Sequence, residues 1–171
     1  MFSFFSKDSS FFPFIYSELY KSVIFVQKFT IITHNNIPDF ISQEEFNILL
    51  ESYVDSHNHC IDKLIYNFVS KEKMLELNKE FLNHDTNTDI ITFDYSKNKT
   101  LRAEFFVSLW AISLSAEELS QSLENETIRV MVHGVLHCLG YTDASDSDKK
   151  QMRRLEDQFL NMFHVKRQNH V

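Results

Sequence analysis

The sequence predicts a single domain of mixed α and β structure. Three observations carry that expectation. The chain has 171 residues with 43% hydrophobic content, enough to bury one sizeable core. No internal repeat or low-complexity linker divides it. Short runs rich in β-branched and aromatic residues alternate with segments whose apolar residues recur at helical spacing.

The elements follow in order. Val23-Ile24-Phe25-Val26 and Phe29-Thr30-Ile31-Ile32 are strand-like, within Ser22 to Ile32. Ser42-Gln43-Glu44-Glu45 is a capping box, and Phe46, Leu49, Leu50 and Val54 follow at helical spacing. Leu64 to Val69 predicts a strand. Ser70 then caps a helix carrying Met74, Leu75, Leu77 and Phe81. Asp89 to Tyr95 predicts another strand, with Glu104 to Ser108 as its hairpin partner. A weaker helix is expected over Leu114 to Leu123. From Glu126 to Leu139 the chain is apolar almost all round, which predicts a buried central helix. A last helix runs from Asp146 to Phe163, with Met152, Leu155, Phe159 and Met162 on one core-facing stripe.

Composition narrows the function classes. The N-terminus is rich in Phe, but Lys7, Asp8, Glu18, Lys21 and Lys28 interrupt it. No apolar run approaches the roughly 20 residues that span a bilayer, and the start does not read as a cleavable signal. Two cysteines without a C-x-x-C motif fit a reducing compartment. A cytoplasmic protein with no membrane partner is expected. The net charge of −7 argues against broad nonspecific nucleic-acid affinity, though not against a local basic cleft. Candidates for such a cleft are Lys71, Lys73 and Lys79; Lys97, Lys99 and Arg102; and Arg129, Lys149, Lys150, Arg153 and Arg154. Most of these are expected to be solvated.

The chemistry concentrates in the run from His133 to Asp143. His133 and His137 are four residues apart, so on a helix they share one face. Buried histidines must be hydrogen-bonded or bound to metal, and one metal ion serves both. Gly140 can end the helix in a left-handed conformation. The chain then turns back and Asp143 can supply a third ligand. Three protein ligands with an open position describe a catalytic zinc site. Cys138 points about 100° away from that face and reads as a small buried residue. The spacing matches zinc peptidases with an H-E-x-x-H helix, but their general-base glutamate is Gly134 here. Gly134 costs the helix about 1 kcal/mol relative to Ala. That cost suggests close packing there, by substrate or by a neighbouring strand. The residues alone thus describe a metal-assisted hydrolase without the peptidase base.

The motif His133-Gly134-Val135-Leu136-His137-Cys138-Leu139-Gly140-Tyr141 resembles the H-G-x-L-H-x-x-G-Y-x-H signature of the YbeY family of bacterial endoribonucleases. A second block, Leu77-Asn78-Lys79-Glu80-Phe81-Leu82 and then Thr88-Asp89-Ile90-Ile91-Thr92-Phe93, is similar to the family's L-N-x-x-Y-R and P-T-D-V-L-S-F. The resemblance covers about Ser22 to Phe163, leaving an N-terminal extension over 1–21 and a short tail over 164–171. It implies an α+β domain with a small mixed sheet packed against helices, and a metal motif on the buried central helix. It implies one zinc ion per chain, held by His133 and His137. It also implies an enzyme that cuts single-stranded RNA, including precursor ribosomal RNA, in association with the small ribosomal subunit. Roles in small-subunit RNA maturation and ribosome quality control follow from it.

Three departures mark this chain. The third histidine is Asp143, as in a branch of the family that ends the motif G-Y-x-D. The usual arginine is Leu82, which cannot grip phosphate, and His84 is the candidate to compensate. The usual Gly-Asp pair is Ala103-Glu104. Asp89 and Glu104 are the carboxylate candidates for acid/base chemistry or for supporting the ligands. Two alternatives stay open: a ribosome-associated factor with a mainly structural metal, and a metallopeptidase that lacks its base.

Overall fold

The structure is a computed structural model and describes residues 30–82 and 88–168. The strand-like stretch over 22–29, the extension over 1–21, His84 and Asp85 lie outside the described residues.

Four strands form one sheet: β1 (Ile31–Asn35), β2 (Cys60–Val69), β3 (Ile90–Asp94) and β4 (Thr100–Ser108). Their order is β1-β2-β4-β3. β1, β2 and β4 run parallel, and β3 pairs antiparallel with β4. The described α-helices are α1 (Gln43–Ser56), α2 (Lys71–Leu77), α3 (Leu109–Glu118), α4 (Leu123–Cys138) and α5 (Asp146–Gln168). A π-helical turn over Asn78–Leu82 follows α2, so Phe81, expected on the Ser70-capped helix, lies just past its end. A mixed sheet with helices packed against it is the α+β class that the sequence predicts. No helix among the described residues is long and apolar enough to cross a membrane.

Four serines start four helices. Ser42, Ser70, Ser108 and Ser122 each accept a backbone N–H from three residues on. Each such cap contributes about 1 kcal/mol. The last two explain one correction. The helix expected over 114–123 begins instead at Leu109, because Ser108 caps it at the end of β4. It stops at Glu118, and Ser120 takes a left-handed φ of 51°. Ser122 then opens α4, so the expected span straddles the end of one helix and the cap of the next. The last helix also continues past its expected end at Phe163, to Gln168.

The sheet sorts its residues by alternation. Leu101, Ala103, Phe105 and Val107 of β4 are buried on one face, beside Leu64, Tyr66 and Phe68 of β2. Helices α1 and α4 cover that face, and α5 packs across both of them. Phe46 of α1 meets Tyr66 and Phe159 edge-on, and the Tyr66 hydroxyl donates to the Met131 carbonyl of α4. The stripe expected on the last helix is core: Met152, Leu155 and Phe159 are buried, with Met162 packed partly against them. On the opposite face, α2 places Met74 and Leu77 over Ile91, Phe93 and Phe106.

Gly134 marks the closest approach of α4 to the sheet. A Cβ there would lie 2.8 Å from Ile90 Cδ1 and 2.9 Å from the Phe105 ring. A neighbouring strand pair therefore accounts for the glycine. Substituting Ala restores about 1 kcal/mol of helix propensity but forces an overpacked contact costing about 1–3 kcal/mol. Urea denaturation of Gly134→Ala should show a net loss of up to about 2 kcal/mol. Combining it with Ile90→Val, which removes the clashing methyl, should cost less than the two single changes added together.

Candidate metal centre

The site forms where α4 ends. Gly140 adopts φ +93°, a conformation that favours glycine. Its N–H donates to His137 O at 2.9 Å, and the Tyr141 N–H donates to Leu136 O at 3.0 Å. These two bonds form a Schellman closure, which satisfies the last carbonyls of the helix and reverses the chain. The reversal carries Asp143 back to the histidines. One ligand atom each from His133, His137 and Asp143 lies within 4.8 Å of the others.

The hydrogen bonds assign the ring nitrogens. His133 Nδ1 lies 2.8 Å from Glu156 Oε1, and His137 Nδ1 lies 3.0 Å from the Tyr141 carbonyl. Both partners are acceptors, so both Nδ1 atoms carry hydrogen. In neutral rings that leaves both Nε2 atoms with lone pairs. Those atoms face each other at 3.0 Å. Two lone pairs that close repel unless a proton or a metal ion lies between them. The donor set therefore fits a divalent metal, with second-partner hydrogen bonds of the kind that orient metal-bound imidazoles.

The electrostatics favour positive charge at the same place. Burial opposes charge on His133, but the Glu156 hydrogen bond and the charges of Glu156, Asp89 and Asp143 outweigh it, holding the imidazole above its ordinary value. Burial would raise the Glu156 carboxyl. His133 and Arg129 overcome that and hold it below the usual range. Arg129, itself buried, lies 3.2 Å from Glu156, 2.7 Å from Asp157 and 3.4 Å from Glu126.

The sequence candidates separate into groups. Asp89 sits at the entry to β3, close enough for its charge to act on His133. Its Oδ1 accepts the Ile90 N–H at 2.7 Å, and its carbonyl accepts the Ser108 N–H at 2.8 Å. Glu104 is a correction. It alternates with Phe105, whose ring faces Gly134, so its side chain lies on the opposite face of the sheet from the histidines. There it accepts from Asn67 Nδ2 at 2.8 Å. His84 lies outside the described residues. Arg129 is a second correction: buried among carboxylates, it is not part of a basic cleft. Among the other cations, Arg102 pairs with Asp62 at 2.9 Å, Lys73 pairs with Glu76 at 2.9 Å, and Lys71 lies 3.7 Å above the Trp110 ring.

The sequence reading missed Glu156. A signal was present, because Glu156 falls four residues after Met152 and three before Phe159, on a stripe otherwise apolar. An acidic residue on a core-facing stripe needs a buried partner. Arg129 and Glu126 stand four and seven residues before His133, on the histidine face of α4.

Two histidines and an aspartate converging at a helix end on this fold make a group that could hold a metal ion, as in metal-dependent hydrolases. Comparison with known proteins makes the family explicit. The model of the family described as Endoribonuclease YbeY matches residues 29–164. The chain is 39% identical over 137 residues to Endoribonuclease YbeY of Flavobacterium psychrophilum, covering 79% of this chain and 98% of that one. It is 35% identical over 126 residues to the protein of the same name from Bacteroides thetaiotaomicron, covering 74% of this chain and 91% of that one. A solution structure of a Thermotoga maritima protein superposes with a TM-score of 0.62 at 22% identity, covering 82% of this chain and 93% of that one, and so shares the fold. The chain belongs to the YbeY family.

Cys138, next to His137, stays outside the ligand group. Burial, and then the negative charge of Asp94, push its thiol up to about 12. The thiolate is the reactive form, so iodoacetamide at pH 8 should label Cys60, which is partly exposed, and spare Cys138 until the protein unfolds. Peptide mass spectrometry reads the difference. Because the folded thiol holds its proton more tightly than an unfolded one, this group's contribution to stability is lost as pH rises above about 8.5.

Proposed function

We propose that the protein is a zinc-dependent endoribonuclease that cuts single-stranded RNA in the cytoplasm. Its substrates include precursor ribosomal RNA, and it acts with the small ribosomal subunit in RNA maturation and ribosome quality control. Membership of the YbeY family supports the reaction class, since the similar curated proteins carry the name endoribonuclease. The observation that carries the site assignment is the pair of Nε2 atoms facing each other at 3.0 Å, with both Nδ1 atoms committed to acceptors.

In this reading His133, His137 and Asp143 hold one zinc ion. Two imidazoles and a carboxylate suit zinc, and three protein ligands leave a position open for chemistry. Zinc in such a site supplies Lewis acidity toward a phosphate oxygen and lowers the pKa of water. The chain's own residues do the rest. Glu156 and the Tyr141 carbonyl hold the two imidazoles in the tautomer that presents Nε2. In this reading Asp89, whose charge acts on His133, is the carboxylate that takes or returns a proton at the site. The close contact of Gly134 with Ile90 and Phe105 leaves no room for a peptidase glutamate at that position. That disfavours the peptidase alternative.

Metal analysis combined with cleavage of a labelled single-stranded RNA tests this reading. Wild type should carry about one zinc per chain and cut the RNA. His137→Ala and Asp143→Ala, folded by circular dichroism, should lose zinc and reduce cleavage by about 100-fold or more. A zinc-loaded wild type that leaves RNA as intact as His137→Ala does would overturn the catalytic reading. It would favour a binding factor with a structural metal.

A further inference from the structure

We propose that Glu156, clamped by Arg129, is the positioning residue that makes His133 a metal ligand. The inference rests on the assignment of His133 and His137 as ligands and adds a residue from a different helix to the site.

The two histidines are supported unequally. His137 donates to a neutral backbone carbonyl at the end of its own helix. His133 donates to a buried carboxylate on α5, and that hydrogen bond is charge-assisted. The Glu156 side chain is 7% exposed and the Arg129 side chain 9%. One oxygen of Glu156 accepts from His133 at 2.8 Å while the other accepts from Arg129 at 3.2 Å. With both oxygens engaged, the carboxylate cannot rotate away from the imidazole.

Stability alone is a poor reason for this arrangement. Burying an arginine and a glutamate carries a desolvation penalty that their attraction barely repays, and apolar replacements of similar volume often fold as well or better. Orientation of a ligand is a better reason. A carboxylate accepts and never donates, so it fixes hydrogen on Nδ1 and leaves the Nε2 lone pair for metal. Its negative charge also makes the imidazole a stronger donor to metal. Arg129 holds the carboxylate in place through its second oxygen. Arg129 stands one turn before His133 on the same face of α4, so one face carries both the ligand and the clamp for its partner.

Two variants of the full-length protein separate orientation from charge. Glu156→Gln can still accept from His133 through its amide oxygen, but it lacks the charge. Glu156→Leu lacks both. Zinc affinity is read by competition with a chromophoric chelator, and the ring tautomers are read by nitrogen-15 NMR without added metal. In wild type, His133 and His137 should both carry hydrogen on Nδ1. Glu156→Gln should keep that tautomer at His133 while zinc affinity falls about 10–100-fold. Glu156→Leu should lose affinity at least as far and move the His133 hydrogen to Nε2, leaving His137 unchanged. Both variants should stay folded by circular dichroism, and if Glu156→Leu does not, Glu156→Gln still decides. Zinc affinity within about threefold of wild type in Glu156→Gln, or an unchanged His133 tautomer in a folded Glu156→Leu, overturns the proposal. Failure of wild type to bind zinc overturns the ligand assignment instead, and the His133 tautomer then decides the role of Glu156 alone.

Discussion

Helix α4 lies against the sheet with no space for a single carbon at Gly134. Much of the site depends on that contact. Ile90 of β3 and Phe105 of β4 press on the glycine from below. Gly134 directly follows His133, and Asp89 directly precedes Ile90, so the contact that seats the helix also brings the Asp89 charge to the first histidine. The local helix pays about 1 kcal/mol for its glycine. Burial of the surrounding side chains, at about 1.5–3 kcal/mol for each large one, outweighs it.

The polar face of the same helix turns the other way. Glu126, Arg129, His133 and His137 follow one another at spacings of three and four, a single stripe pointing toward α5. Glu156 meets that stripe from α5 and links Arg129 to His133. Buried charge of this kind is tolerated because each member has a partner. It also ties the docking of the last helix to the geometry of the site. A slide of α5 by one turn would move Glu156 about 5.4 Å and leave Arg129 and His133 facing an apolar side chain.

Local rules made much of the architecture legible. The Ser42 and Ser70 caps, the strand over Leu64 to Val69 and the hairpin of Asp89 to Tyr95 with Glu104 to Ser108 all appear as the residues suggest. The helix over 109–118 was misplaced because its cap, Ser108, also ends a strand, and the hydrophobic pattern alone does not mark that handover. β1 carries His34 and Asn35, which have weak strand preference, and it exists through its parallel pairing with β2. Glu104 shows the limit of motif reading. One residue decides which face of a sheet a side chain takes, and its neighbour Phe105 took the face toward the helix.

By itself the sequence determined what the chain can do within one turn of helix or one strand: two histidines on one face, a glycine to end the helix, an aspartate after the turn. Those outcomes follow from spacing and backbone preference, which are local. Only the tertiary structure decided which atoms complete the site. It set Glu156 rather than Glu104 beside the ligands, withdrew Arg129 from solvent, and named β3 and β4 as the reason for Gly134. Each of these depends on how separate elements pack, and packing is settled by shape and burial between residues far apart in the chain.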